Sequence, residues 1–213
     1  MIAQITQLWE THKLGLRTME HLGMFAIAIG LSIAIGVMIG ILIYSNKKVS
    51  NTVFNALNII QIIPTLALLI LLLPLLGLGK LPTIAACVLY SILPIARNTY
   101  AGLANIDQDY IETGKAIGLN KKDILFRIRI PLALPLIAGG IRIAIVFTIG
   151  VITLGGLIAA GGLGAPLQTG IHLYDKPLIL LTGIWVGLLA LALDGIGALA
   201  EKLLKKRYSY GNA

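Results

Sequence analysis

The side chains that could do chemistry are few and poorly spaced for it. His12, His21 and His172 lack metal-ligand spacing, so no metal site is expected. Cys87 is the one cysteine; it has no partner for an intrachain disulfide and lies in an apolar run, where a thiol behaves as a small buried hydrophobe. Neither H-E-x-x-H nor G-x-x-x-x-G-K-[ST] occurs. The GLGKL around Lys80 has the wrong spacing to cradle phosphate. GGLIAAGGLGAPLQTG lacks the preceding strand and following charge partner of a nucleotide site. An intramembrane serine protease would need a serine and a histidine at similar depth, and the histidines are expected outside the apolar runs. Two features remain. Residues 112–135, ETGKAIGLNKKDILFRIRIPLALP, form a polar, amphipathic stretch between long apolar runs. Arg142 and Asp194 are charges set inside such runs. Both point to contacts between proteins or between helices rather than to catalysis.

The elements that must position these residues follow from composition. The 213 residues are 57% hydrophobic and only 12% charged, with a mean hydropathy of +0.92. A soluble domain carries about 25% charged residues. Long apolar runs with so few charges indicate a membrane protein. The net charge of +8 does not mark a nucleic-acid binder, because the basic residues sit at the ends of apolar segments rather than along one face. The first 21 residues include Trp9, Glu10, Lys13, Arg17 and Glu20 before any apolar run, which is unlike a cleaved signal.

The expected fold is an all-α integral membrane protein, a single domain over 1–213. About 20 apolar residues cross a bilayer as a helix, and five stretches qualify: 22–44, 54–76, 82–100, 134–159 and 178–200. Pro64 interrupts the second and Pro94 the third, so both are expected to kink or break. Two readings stay open for each: a kink that improves packing, or a break that lines a water-filled cavity. If the loop 101–133 faces the cytoplasm, most lysines and arginines outside the spans lie on that side. Lys13, Arg17, Lys80 and Lys176 lie opposite. That bias sets the N-terminus outside and the C-terminus inside. A bundle this small encloses little space, so a solute path would form more easily between two chains.

In the 101–133 loop, residues 107 to 116 suit a short helix with acidic residues near its start. Gly118 would end it. Asn120 would cap a second helix, with Asp123 as a weak capping-box partner. Pro131 and Pro135 mark the handover to the fourth span. The expectation is a helix–turn–helix at the membrane surface, distinct from that span.

This spacing resembles the permease subunits of bacterial ATP-binding-cassette importers, whose coupling loop reads E-A-A, three residues, G, about nine residues, I-x-L-P. Here the positions are Glu112, Thr113, Gly114, then Gly118, then the run from Ile130 to Pro135; Thr113 and Gly114 depart from the two alanines. The resemblance implies that Glu112, Thr113, Gly114, Ala116, Gly118 and Leu119 make or shape the contact with an ATPase. NIIQIIPTLALL, LYSILPIARNTYAGL and AAGGLGAPL look like the permeases that import glycine betaine, carnitine or choline. The partners implied are an ATPase dimer carrying ATP and Mg, a second permease chain (copy or paralogue), a separate extracellular substrate-binding protein, and membrane lipid. No cofactor is expected on this chain. The location implied is the plasma (inner) membrane of a bacterium, and the chain would be non-catalytic.

Within the resemblance, the alternative is an importer permease for another small solute such as an amino acid. A small secondary transporter is the rival class, since proline-broken helices suit it too. It would usually need intramembrane acids, and only Asp194 qualifies. An unpaired charge in hydrocarbon is costly, so Arg142 and Asp194 are expected to pair across the fourth and fifth spans; separate snorkelling to the surface is the alternative. A trimethylammonium is held by aromatic faces. Aromatics are scarce here, so selectivity is expected in the receptor. Gln61, Pro64, Thr65 and Tyr90 are the candidate pathway-lining residues, while Tyr100 and Tyr174 serve equally as interface anchors.

Overall fold

A computed structural model describes residues 2–208. Ten α-helices account for most of it: α1 Ile2–Thr11, α2 Leu14–Ile43, α3 Lys47–Ile62, α4 Thr65–Leu76, α5 Lys80–Ala104, α6 Gln108–Ala116, α7 Lys121–Ile124, α8 Ile130–Gly155, α9 Gly164–Leu173 and α10 Lys176–Tyr208. Four helices are long and apolar enough to cross a membrane, or up to five if the bent pair α3–α4 is one span. At 33 residues, α10 is about 50 Å long. It therefore outruns a hydrocarbon core of about 30 Å unless it tilts.

α5 is the axis of the bundle, buried between α2 and α8. Small residues let the backbones approach. A Cβ built on Gly36 would stand 2.8 Å from Ile95, and one on Gly40 would stand 2.5 Å from Thr99. On the other side, a Cβ on Gly140 would lie 2.8 Å from the Pro94 carbonyl, and one on Gly102 would lie 2.9 Å from Ala133. The polar groups along this axis are paired: Ser91 Oγ and Thr148 Oγ1 lie 3.0 Å apart between α5 and α8, and Thr99 donates to the Ile95 carbonyl.

The second expected span, 54–76, is not one kinked helix. It starts earlier, at Lys47, and breaks at Ile63–Pro64 with a 95° bend between α3 and α4. Pro94, by contrast, sits inside an unbroken α5. The difference lies in where the freed carbonyls find donors. Pro94 has no N–H for the carbonyl of Tyr90, four residues back. The Gln61 amide of α3 donates to that carbonyl at 2.8 Å. The break at Pro64 frees the Ile63 carbonyl, and the Tyr90 hydroxyl donates to it. Each helix thus supplies a donor to a carbonyl left open on the other. Arg97 adds a hydrogen bond to Asn58 at 2.9 Å and lies over the Phe54 ring. Phe54 packs edge-on against Tyr100 with centroids 5.4 Å apart.

The second arm of the central loop is also not a separate surface helix. α7 runs through a π-helical segment, Leu125–Arg129, directly into α8. The Ile130 N–H donates to the Leu125 carbonyl. The widened turn absorbs the register just before Pro131, which has no N–H to give. Arg129 does not snorkel; it turns inward, donates to the Leu103 carbonyl in the last turn of α5, and lies 5.4 Å from the centroid of Tyr44. A cation there satisfies one of the carbonyls that a helix end leaves open.

At the opposite end, α2 begins at Leu14, so His21 lies inside a membrane-length helix, fully buried. The sequence reading had placed it outside the spans. Glu20, one residue earlier, accepts from the Gly162 N–H at 2.9 Å and pairs with Arg17 at 2.8 Å. Trp185 of α10 donates to Thr18 at 2.9 Å and meets Trp9 of α1 edge-on at 5.0 Å.

Three stability outcomes follow. Gln61→Leu leaves the Tyr90 carbonyl without a donor and should cost about 1–3 kcal/mol in thermal unfolding. Gly40→Leu drives a side chain into Thr99 and should cost at least about 1–3 kcal/mol as overpacking. Gly30→Ala, at a position where a Cβ meets nothing within 4 Å, should stay within about 0.5 kcal/mol.

Candidate functional site: the central loop and the trough beside it

α6 is held by its own caps. Asp107 accepts from the Asp109 N–H at 3.1 Å. At the far end Gly118, at φ 84, lets its own N–H reach the Lys115 carbonyl at 2.9 Å and that of Leu119 reach the Gly114 carbonyl at 3.0 Å. This paired arrangement reverses the chain and closes the helix. Asn120 then accepts from Lys122 and Asp123 N–H groups at 2.9 and 3.0 Å, starting α7. Asp123 itself turns to Arg127 at 3.5 Å.

The six loop residues singled out in the sequence do not share one surface. Glu112, Thr113, Ala116 and Gly118 are exposed, and Leu119 is half-buried. Gly114 is buried on the inner side, where a Cβ would stand 2.7 Å from Ile128. Its place is in the packing of α6 against the helix leading to α8, not on an outward face. The sequence reading missed Ile117, which is 72% exposed beside the turn. An isoleucine just before a helix-ending glycine, in an otherwise polar helix, was the available signal.

Beside α8 runs a trough made of two adjoining cavities. The larger, about 700 Å³, is lined by Thr65 of α4, Val186 of α10 and a face of α8 from Ile143 to Leu154. The smaller, about 240 Å³, is lined by Gln61, Leu93, Pro94, Arg97, Asn98, Ile143 and Phe147. Ile143 and Phe147 belong to both. Thr65 and Gln61 therefore line one continuous trough. Pro64 forms the corner between α3 and α4 and lines neither cavity. Tyr90 is buried with its hydroxyl committed to Ile63, so it belongs to the joint rather than to the trough. Tyr100 is packed on Phe54 and Tyr174 is exposed at the end of α9. Arg97 and Phe147, not anticipated from sequence, supply the trough's one charge and its one aromatic face. No carboxylate lines either cavity.

Arg142 of α8 and Asp194 of α10 meet in a two-pronged contact, Nε to Oδ1 at 2.7 Å and Nη2 to Oδ2 at 2.9 Å. Glu201 extends it, 3.6 Å from Arg142 and 2.6 Å from Lys205. Residues 194, 201 and 205 lie on one face of α10 at spacings of seven and four, a pattern the sequence carried. Four charges thus balance to zero where α8 packs on α10. In a double-mutant cycle, Arg142→Ala and Asp194→Ala should show losses of thermal stability well short of additive, because either change alone strands a charge.

Comparison with known proteins bears on the same elements. Residues 32–209 match the family model described as binding-protein-dependent transport system inner membrane component. The choline transport system permease protein OpuBB of Bacillus subtilis (strain 168) is 38% identical over 188 residues, covering 88% of this chain and 87% of the relative. The glycine betaine/carnitine/choline transport system permease protein OpuCB of the same organism is 39% identical over 87% of this chain and 86% of its own. The osmoprotectant import permease protein OsmW of Salmonella typhimurium is 41% identical over 83% of this chain and 85% of its own. Among solved structures, an inward-facing MetNI methionine ABC transporter chain superposes with a TM-score of 0.81 at 23% identity, covering 90% of this chain and 95% of that one. At that identity the likeness establishes the fold. A family match over most of the chain, together with relatives near 40% identity, decides the rest: the chain belongs to the family of inner-membrane components of binding-protein-dependent transport systems.

Proposed function

We propose that this chain is the membrane-spanning permease subunit of an ATP-driven importer for a small quaternary-amine osmoprotectant such as glycine betaine, carnitine or choline. The observation that carries this is the long match to relatives bearing those substrates in their names. The trough supports a path rather than a tight site. It has one aromatic face and no carboxylate to hold a trimethylammonium, and its one charge, Arg97, is positive. Selectivity then rests with a separate substrate-binding protein on the outer side. A second permease chain, a copy or a paralogue, closes the open side of the trough.

In this reading the N-terminus lies outside, the C-terminus inside, and α6 with its turn faces the cytoplasm. Two ATPase subunits, which hold the ATP and Mg, dock one on each permease. Glu112, Thr113, Ala116 and Gly118 present the outer face, with Leu119 beside them, while Gly114 sets the close packing behind it. Ile117 is the apolar anchor. The helix from Lys121 through α8 is unbroken, so a push on the loop travels along the wall of the trough. Arg142, Asp194 and Glu201 carry it to α10.

The test is purification of the tagged chain from its native membrane in mild detergent, with co-purifying proteins identified and osmoprotectant uptake measured in parallel. An ATPase in stoichiometric amount and energy-dependent glycine betaine or choline uptake are expected. Ile117→Asp should weaken ATPase retention about tenfold or more, as loss of a buried apolar anchor does. Gly118→Trp should abolish it, since a side chain at that φ is strained. Solute movement by the chain alone in proteoliposomes, with no ATPase retained, would overturn the reading in favour of a secondary transporter.

A further inference from the structure

A second cleft, of about 490 Å³, lies where α2 and α5 end, behind α6. Lys115, Lys121 and Arg129 line it together, and no carboxylate does. None of the three belongs to an ion pair among the described residues. Three cations converging on one concavity repel one another, and no carboxylate lines the cleft with them. Of the neighbouring acids, Asp123 pairs with Arg127, Asp107 caps α6, and Asp109 and Glu112 are exposed outside the lining.

The cleft is also built to receive a ligand. Arg129 is fixed in the wall by the Leu103 carbonyl and the Tyr44 ring, which orient the guanidinium plane while leaving further N–H groups unspent. Tyr44, Ser45 and Gln108 add hydrogen-bond donors around the same space. Ile111 and Ile124, both buried, form an apolar floor. Arg129 is half-buried beside this floor, while Lys115 and Lys121 stand exposed at the rim.

We propose that this cleft binds a phosphoryl anion, and that an anionic phospholipid headgroup is its source. The depth is that of headgroups, because Tyr44 directly follows the apolar run of α2 and Ala104 ends α5. Basic pockets at the cytoplasmic ends of spans favour such groups. The cleft uses one face of α6, Gln108, Ile111 and Lys115 at helical spacing, and Thr113 lies on the opposite face. Glu112 and Ala116 flank that face and stay outside the cleft's lining, so lipid and ATPase use different side chains. The inference goes beyond the transport reading and shares with it only the orientation of the loop.

The experiment is native mass spectrometry of the full purified chain, titrated with phosphatidylglycerol or phosphatidylcholine. Wild-type protein should retain phosphatidylglycerol in preference. K115Q/K121Q should weaken that retention by about fivefold or more per lysine removed. K115R/K121R should keep it, as should K202Q/K206Q, which removes two exposed charges from α10. A thermal midpoint like the wild type's for K115Q/K121Q ties its loss to the site rather than to unfolding. Phosphatidylglycerol that resists millimolar inorganic phosphate places the source in the membrane. Displacement by inorganic phosphate identifies a soluble phosphate source and keeps the phosphoryl site. Equal retention by K115Q/K121Q and the wild type, or equal loss in K202Q/K206Q, overturns the proposal. Because binding is read on the permease alone, its outcome is separate from whether the chain imports osmoprotectants.

Discussion

A backbone in hydrocarbon has no water to satisfy it, so every carbonyl that a proline or a helix end releases must find a donor within the protein. Much of this molecule is arranged around that constraint. Gln61 serves the carbonyl that Pro94 releases, and Tyr90 serves the one exposed by the break before Pro64. Arg129 serves the end of α5. The sharp corner between α3 and α4 is stable because α5 holds it from both sides. That corner places Gln61 and Thr65 along the trough.

The same axis explains why motion at one end can be felt elsewhere. α5 is packed so closely through Gly36, Gly40, Gly102 and Gly140 that it has little freedom to shift alone. Close-packed interfaces move as units rather than deforming smoothly. The helix from the loop into α8 is its neighbour, and at the π-helical turn Leu125–Arg129 its hydrogen-bond register departs from α. Segments of this kind mark places where a helix can adjust. The ion network ties α8 to α10, whose outer surface is largely exposed. α6 thus packs, through Gly114 and Ile128, on the helix that continues into the trough wall.

This geometry suits a conduit. A selective site for a quaternary amine would enclose it with aromatic faces and carboxylates. The trough has Phe147 alone, faces an arginine, and is open along one side. Affinity low enough for release is what a path between two gates requires, and a separate receptor can supply the discrimination. At the end of the bundle opposite the central loop, Glu20 grips the Gly162 backbone, with Arg17 completing the clasp.

The membrane class, the helical fold, the first arm of the loop between the third and fourth spans and the pairing of Arg142 with Asp194 were all legible in the sequence. Each rests on local information: run length, end charges, capping residues, and the cost of a charge in an apolar stretch. Which of Pro64 and Pro94 breaks its helix, the burial of Gly114 and the commitment of Tyr90 were not legible. Two prolines in similar apolar runs look alike along the chain. Which helix breaks depends on which carbonyl can reach a donor on another helix, and only the tertiary arrangement sets those distances. The same holds for Arg129. Its charge was evident from the sequence, but its inward turn depends on the Leu103 carbonyl and Tyr44 being brought beside it by packing.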